Sequence, residues 1–166
     1  MEKMKKKLIV GNWKMNGSLA ANAALLDLLK QGPGHAGCET AVCAPAPYLA
    51  QLQSLLSGSA VAIGAQDLSV HTSGAFTGEV APSFLAKLGV KYVICGHSER
   101  RELFAETDEM VQKKVSAILA NKMIPILCVG ETLEEREAEQ TLAKVLGQLR
   151  AGLAKVTPEQ ASTLVV

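Results

Sequence analysis

Residues 123–150 read MIPILCVGETLEEREAEQTLAKVLGQLR, and this stretch contains the structural unit that recurs along the chain. Its first part, Met123–Val129, is continuously apolar, which is typical of a parallel strand buried on both faces. Thr132 and Glu135 then have the spacing of a capping box, which predicts a helix over residues 132–150. The side chains predicted to face the core are Leu142, Val145, Leu146 and Leu149.

The same strand-and-helix pattern recurs from one end of the sequence to the other. Further strands are predicted at Leu8–Trp13, Thr40–Ala44, Ala60–Gln66, Tyr92–Cys95 and Leu164–Val166. Further helices are predicted over residues 18–30, 47–56, 82–88 and 107–121, with another beginning at Thr157, Pro158 and Gln160. The helix over residues 18–30 has Ser18 as its predicted cap, and its predicted core-facing side chains are Leu25, Leu28 and Leu29. The helix over residues 107–121 has Thr107 as its predicted cap, and its predicted core-facing side chains are Val111, Val115, Ile118 and Leu119.

About five β/α units followed by the beginning of a sixth strand predict an α/β fold with a parallel sheet and right-handed crossovers. Residues 1–166 are expected to form a single domain, since no linker or low-complexity tract interrupts the pattern.

The composition argues against several classes of partner. The 17 basic and 16 acidic side chains leave a formal charge of +1, which removes the electrostatic case for nucleic acid or a membrane surface. The one basic cluster, Lys3 with residues 5–7, is interpreted as a solvated lead-in to the first strand. No apolar run approaches the ~20 residues that a membrane span requires.

The four cysteines are scattered and have no metal-ligand spacing, so neither a metal site nor a disulfide framework is predicted. We expect free thiols and a cytoplasmic protein.

Parallel β/α proteins bind ligands at the carboxyl ends of their strands, so the polar residues just after each strand are the candidate site. These residues are Asn12, Lys14, Asn16, Gln66, Asp67, His97, Ser98, Glu99, Arg100 and Glu131. The glycine fingerprints for dinucleotides and for the P-loop are absent, which argues against a nucleotide cofactor. An amide, an ammonium and an imidazole on this rim suit a small anionic substrate.

Each of these three groups has a functional and a structural interpretation. Lys14 would be a fixed cation for a phosphate or oxyanion, or an ordinary surface lysine. Asn12 would orient a carbonyl, or satisfy the turn after its strand. His97 precedes a predicted helical turn, whose backbone N–H would donate to one ring nitrogen and leave the other as a neutral donor; a structural histidine remains the alternative.

Residues 67–79 read DLSVHTSGAFTGE and form an unusually long predicted loop around one aromatic residue, Phe76. An exposed aromatic in a polar loop suggests a protrusion that docks into a partner, and a mobile surface loop is the alternative.

Four motifs carry a resemblance that covers the whole chain. They are GNWKMNG at residues 11–17, GAQDLSVHTSGAFTGEV at 64–80, VICGHSERR at 93–101 and CVGETLEERE at 128–137. In this order they resemble successive loops of the triosephosphate isomerase family, which is itself the usual example of both the eight-stranded barrel and the neutral catalytic histidine.

The resemblance implies a (β/α) barrel that interconverts dihydroxyacetone phosphate and glyceraldehyde 3-phosphate through an enediolate, as in glycolysis and gluconeogenesis, without cofactor or metal. On this likeness His97 is the neutral electrophile, Lys14 the cation beside phosphate and enediolate, and Asn12 the group that orients the carbonyl. Implied supporting residues are Glu99, which would hold Lys14, together with Ser98, Arg100, Cys128 and Glu131.

The likeness further implies a homodimer. The loop with Phe76, Thr77 and Gly78 would pack beside Asn12 and His97 of the other subunit.

The chain departs from the family pattern at its end. The family's catalytic base is a glutamate just after the sixth strand, whereas this sequence stops at Val166, within that strand. A closed barrel takes about 250 residues, so these 166 are expected to form an incomplete barrel of about five and a half units. We expect this polypeptide alone to be poorly active or inactive.

Three explanations for this departure from the family pattern stay open. The sequence would be part of a longer protein, a fragment complemented by a second piece, or an open-sheet domain that binds without catalysing. The alternative function is a non-catalytic fragment that self-associates through the Phe76 loop and the open sheet edges. A different phosphate-binding barrel enzyme, such as an aldolase, would need a Schiff-base lysine, and only Lys14 closely follows a strand.

Overall fold

A computed structural model describes residues 7–32 and 37–166 of the chain. Its strands form one five-stranded sheet in the order β1-β2-β3-β4-β5, and every neighbouring pair is parallel. The strands are β1 Lys7–Asn12, β2 Cys38–Ala44, β3 Val61–Ala65, β4 Tyr92–Cys95 and β5 Ile124–Leu127. Consecutive strands that pair in parallel require a crossover each time, and this confirms the predicted α/β architecture.

Helices follow the strands and alternate with them along the chain. They are α1 Leu19–Gln31, α2 Leu49–Leu55, α3 Pro82–Lys87, α4 Ser98–Leu103, α5 Asp108–Ala120, α6 Leu133–Glu137, α7 Thr141–Leu153 and α8 Pro158–Ala161. A short 3₁₀ helix, Ala46–Tyr48, leads into α2. In the described part of the chain no helix has the length and apolar character to cross a bilayer.

The predicted helix starts are confirmed where a side chain caps the first turn. Ser18, Thr107, Thr132 and Thr157 each accept a hydrogen bond from the backbone three residues on, and the last two complete capping boxes.

The sheet edges differ from its centre. β4 is buried along its whole length, as predicted, whereas β1 alternates between exposed and half-buried residues because it has no second neighbour among the described strands.

Beyond β5, Val165 pairs in parallel with Ile126, so the predicted sixth strand begins at the expected place. Of the basic lead-in, Lys3, Lys5 and Lys6 lie outside the described residues, and Lys7 is the exposed first residue of β1.

The single helix predicted over residues 132–150 was wrong. The chain forms α6 and α7 instead, because Glu139 adopts a left-handed φ of 58° and ends the first helix. Leu142, predicted to be buried, is 70% exposed, while Val145, Leu146 and Leu149 are half-buried.

The predicted inward face of α1 was also wrong. Leu26 and Asn22 are the buried residues, whereas Leu25 and Leu28 are exposed and Leu29 is half-buried. Asn22 Nδ2 donates to Gln51 Oε1 at 3.0 Å, so the buried face of α1 includes a polar contact with α2. Consecutive leucines make the helical face ambiguous in the sequence alone.

The core lies between the sheet and the helices that cover it. Its central residues include Leu52, Val93, Val111, Val115, Ile118 and Leu127, each at most 1% exposed. The face of α5 that carries Val111, Val115 and Ile118 agrees with the predicted periodicity. This packing fixes the sheet, so the loops after its carboxyl ends all extend from one rigid edge.

Candidate active site

The turn after β1 holds Lys14 in an unusual backbone conformation. Lys14 has a φ of 51°, which a residue with a side chain rarely adopts. Its backbone N–H donates to Asn12 Oδ1 at 3.0 Å, and its carbonyl accepts from Gln66 Nε2 at 2.8 Å. The same Gln66 nitrogen donates to the carbonyl of Cys43 at 3.1 Å, which ties the turn to β2. These bonds hold a strained residue at the mouth of the sheet, a pattern that is common at functional sites.

Asn12 therefore has the structural role that the sequence left open. Its Oδ1 is committed to the Lys14 turn, so the group it can offer a ligand is the amide NH₂, a donor suited to a carbonyl oxygen.

His97 lies between β4 and α4 and caps that helix with its own ring. The backbone N–H of Glu99 donates to His97 Nδ1 at 3.2 Å, as the sequence predicted. A nitrogen that accepts a hydrogen bond carries no proton, so the neutral ring has its proton on Nε2. The imidazole thus keeps its Nε2–H as a donor for a further partner.

Glu99 links the lysine to the histidine. Its Oε1 lies 2.5 Å from Lys14 Nζ, and its Oε2 lies 3.7 Å from His97 Nδ1. The hydrogen bond from Lys14, with its charge, holds the pKa of Glu99 below its ordinary value. The carboxylate that flanks the His97 ring is therefore the same one that pairs with the Lys14 ammonium.

This ion pair contributes little to stability, because both side chains are about half exposed, 53% for Lys14 and 45% for Glu99. Its consequence is positional: it sets where the ammonium lies.

Arg100 belongs to a second, buried charge cluster behind the mouth. Its Nε lies 3.0 Å from Asp67 Oδ2 and 3.3 Å from Glu106 Oε1. Lys114 Nζ contacts both carboxylates as well, at 2.5 Å from Asp67 Oδ1. The Glu106 and Lys114 side chains are 1% and 7% exposed, whereas those of Arg100 and Asp67 are 34% and 25% exposed, so the cluster extends from the core to the partly hydrated rim.

The two carboxyls of this cluster respond differently to their surroundings. Burial raises the pKa of Glu106, but the hydrogen bond and charge of Lys114, with those of Arg100, outweigh it and hold that pKa below its ordinary value. Burial outweighs the same cations at Asp67 and raises its pKa.

Sequence reasoning missed Glu106 and Lys114. A signal existed for Lys114, which lies on the same helical face as Val111, Val115 and Ile118; a lysine in an apolar stripe indicates a buried charge with a partner.

A cavity of about 740 Å³ joins the mouth residues. Asn12, Lys14, His97, Glu99 and Arg100 all line it, as do Gln66 and Gly78. The predicted residues Ser98, Phe76, Thr77, Cys128 and Glu131 do not.

A second cavity of about 960 Å³ lies between the 67–79 loop and α5, but neither Lys14 nor His97 lines it. The candidate site is therefore the first cavity.

The remaining predicted residues have structural surroundings. Ser98 is the exposed first residue of α4. Glu131 Oε1 accepts from Arg136 Nε at 2.9 Å and from Thr141 Oγ1 at 3.3 Å, which joins α6 to α7. Burial raises the pKa of the Cys128 thiol, so this sulfur is a neutral packing group at neutral pH.

The 67–79 loop has internal order. Its base is closed by a 2.9 Å hydrogen bond from the N–H of Ser69 to the carbonyl of Val80. The Phe76 ring stacks on His71 with centroids 3.7 Å apart and planes within 6°, yet stays 41% exposed. A mobile loop is therefore the poorer interpretation, and Thr77 and Gly78 are exposed beside this aromatic pair.

Comparison with known proteins gives these observations a family. The sequence model of the family described as triosephosphate isomerase matches residues 7–166. The chain belongs to the triosephosphate isomerase family.

A triosephosphate isomerase of Dechloromonas aromatica is 58% identical over 153 residues, which cover 92% of this chain and 61% of that protein. Those of Herminiimonas arsenicoxydans and Cupriavidus taiwanensis are 53% and 55% identical over 163 residues, covering 98% of this chain and 66% of each relative. The chain thus spans 61–66% of the length of these curated relatives. The five parallel strands with their alternating helices, in a chain of this family, confirm the predicted TIM-barrel type of fold.

Proposed function

We propose that this chain carries the electrophilic half of a triosephosphate isomerase site, which interconverts dihydroxyacetone phosphate and glyceraldehyde 3-phosphate through an enediolate. The observation that carries the proposal is one cavity in which Asn12, Lys14 and His97 meet. A three-carbon phosphate is small and anionic, and this cavity offers it one ammonium and two neutral donors.

Each group has a role that follows from its geometry. The strained turn directs Lys14 to the mouth, where its charge offsets the phosphate and the developing enediolate. His97 Nε2–H donates to the substrate oxygens because Nδ1 is occupied by the Glu99 N–H. Asn12 donates its amide NH₂ to the carbonyl oxygen. One such donor in an oxyanion site is worth about 10²–10³ in rate.

Proton abstraction from carbon also requires a general base, and in the family this chain resembles the base is a carboxylate. The carboxylates that follow the predicted strands are Asp67, Glu99 and Glu131, and each is held by a cation, Lys114, Lys14 and Arg136 respectively. The family takes its base from a glutamate after the sixth strand. We therefore expect the 166-residue polypeptide to bind triose phosphate while isomerising it slowly or not at all.

A titration of the chain with dihydroxyacetone phosphate, followed through Trp13, tests this proposal. Trp13 directly precedes Lys14 and packs against the core, so a bound ligand should change its fluorescence. The change should saturate, be lost in Lys14→Met, and persist in Lys87→Met, which removes an exposed lysine on α3. Absence of any saturable change in the wild-type chain would contradict the proposal.

A coupled isomerase assay on the same material tests the expected low activity. A rate close to that of a full-length isomerase would overturn that expectation.

We further propose a homodimer in which the 67–79 loop docks beside Asn12 and His97 of the other subunit. The exposed Phe76, held in place by His71, supports this role. Sedimentation should show Phe76→Ala shifting the chain toward the monomer, and an unchanged dimer would remove the loop from the interface.

The alternative is a non-catalytic fragment that self-associates through the Phe76 loop and the open sheet edges. Its edge contribution is favoured by β1, where Ile9 is 59% exposed on an edge strand. Ile9→Lys should then reduce association, whereas loop-mediated dimers should tolerate it.

All four cysteines are free thiols, which supports a reducing compartment, and we propose the cytoplasm.

A further inference from the structure

The peptide that leads into His97 is tightly confined. Gly96 has a φ of 71°, which favours glycine, and a Cβ there would lie 2.9 Å from Arg101 Nη2 and 3.0 Å from Val111 Cγ1. The carbonyl of Cys128 would be 3.2 Å away. The direction in which His97 leaves β4 is therefore set by this one turn of backbone.

Arg101 holds the carbonyl of that turn. Its Nε donates to the Gly96 carbonyl at 2.7 Å, and its Nη1 donates to Asp108 Oδ1 at 2.5 Å. The side chain is only 17% exposed. A planar guanidinium fixes two acceptors at once, so the position of Gly96 is coupled to that of Asp108.

Asp108 is itself fixed to the core. It is the first residue of α5, directly after the Thr107 cap, and this helix packs on the sheet through Val111 and Val115. The contacts Asp108–Arg101–Gly96 thus connect the N-terminal end of α5, where the Asp108 side chain is 44% exposed, to the residue before His97.

We propose that Arg101 is a positioning residue for His97. By holding the Gly96 carbonyl against Asp108, it orients the His97 ring so that Nδ1 meets the Glu99 N–H and the proton stays on Nε2. Naming His97 the electrophile rests on the proposed function, but the effect of Arg101 on the ring tautomer does not. If Arg101 served only to pair with the N-terminus of α5, its loss would lower stability and leave the ring unchanged.

The test is the ¹⁵N NMR spectrum of the imidazoles in the 166-residue chain, with His97 assigned by its loss in His97→Gln. The wild-type spectrum should show a protonated Nε2 and an unprotonated Nδ1. In Arg101→Met the ratio of the Nε2–H tautomer to the Nδ1–H tautomer should fall about fivefold, because the net free energy of one hydrogen bond corresponds to a population ratio of about that size.

Two further variants keep the test decisive if Arg101→Met folds poorly. Asp108→Asn retains an acceptor but loses the charge, and Arg101→Lys retains the charge but cannot bridge both acceptors, so each should give an intermediate ratio. Arg150→Met, which removes an exposed arginine on α7, should leave the ratio unchanged.

Folded Arg101 and Asp108 variants that lose thermal stability but keep the wild-type ratio would overturn the proposal. Failure of the chain to bind dihydroxyacetone phosphate would instead contradict the proposed function and leave the tautomer result standing.

Discussion

The buried charge cluster around Lys114 should dominate the response of this protein to loss of a single charge. Lys114→Met keeps most of the alkyl packing but leaves Asp67 and Glu106 with Arg100 as their cation. Removing one partner of a buried ion pair costs about 3–5 kcal/mol. Because Arg100 still lies 3.0 Å and 3.3 Å from the two carboxylates, we expect the lower end, about 3 kcal/mol.

The neighbouring residue offers a matched control. Lys113 is 52% exposed and pairs with Glu109 at 2.7 Å along the helix, so Lys113→Met should change the free energy of unfolding by about 0.5 kcal/mol or less. For a chain of this length 1 kcal/mol corresponds to about 2–4 °C, so Lys114→Met should lower Tm by about 6–12 °C.

Urea denaturation followed by circular dichroism, together with thermal melting at neutral pH, measures both variants. The double variant Lys114→Met with Glu106→Gln should be less destabilised than the sum of the single changes by more than about 1 kcal/mol, since the second change removes one of the two carboxylates that then share the single cation Arg100. The reasoning fails if Lys114→Met unfolds within about 1 kcal/mol of the Lys113→Met control.

Three other predictions follow from particular contacts. Lys14→Met should return the pKa of Glu99 toward its ordinary value, which carboxyl ¹³C NMR measures, and an unchanged titration would contradict this. Because the folded pKa is lowered, the pair stabilises the folded state fully at a pH above the pKa of the unfolded chain. This stabilisation is lost as the pH falls through the folded pKa. Gly64→Ala would place a Cβ 2.3 Å from Cys43 Sγ and 3.2 Å from the Val42 carbonyl, so it should lower stability by about 1–3 kcal/mol in urea denaturation. Adding Cys43→Ala should recover part of that loss, and no recovery would argue against the clash. Gly147→Ala lies in α7 with nothing within 4 Å, so it should raise stability by about 0.5–1 kcal/mol, and a lower Tm would contradict that.

Local features of this protein could be predicted from the sequence because they depend on neighbouring residues. The strand predicted from the apolar run Tyr92–Cys95 has the same first and last residues as β4. The helix caps at Thr107, Thr132 and Thr157 form as the spacing of the sequence indicates. The hydrogen bond from the Glu99 N–H to His97 joins residues two apart, so a strand followed by a helical turn was enough to predict it.

Predictions that depended on a choice between neighbouring apolar residues were less successful. Four leucines in residues 25–29 did not show which face of α1 is buried, and the pattern over residues 132–150 did not show the break at Glu139. Both are decided by what packs alongside the helix, which periodicity does not contain.

The chemistry of the site was decided by tertiary structure. The sequence alone determined that an amide, an ammonium and an imidazole would lie at one end of a parallel sheet, because each lies within two residues of the end of a strand. Only the folded chain brings Glu99 to Lys14 across 85 positions, Gln66 to the Lys14 carbonyl across 52, and Lys114 to Asp67 across 47. Strand order and register determine these distances, and they are set by the packing of the whole core rather than by any short stretch of residues.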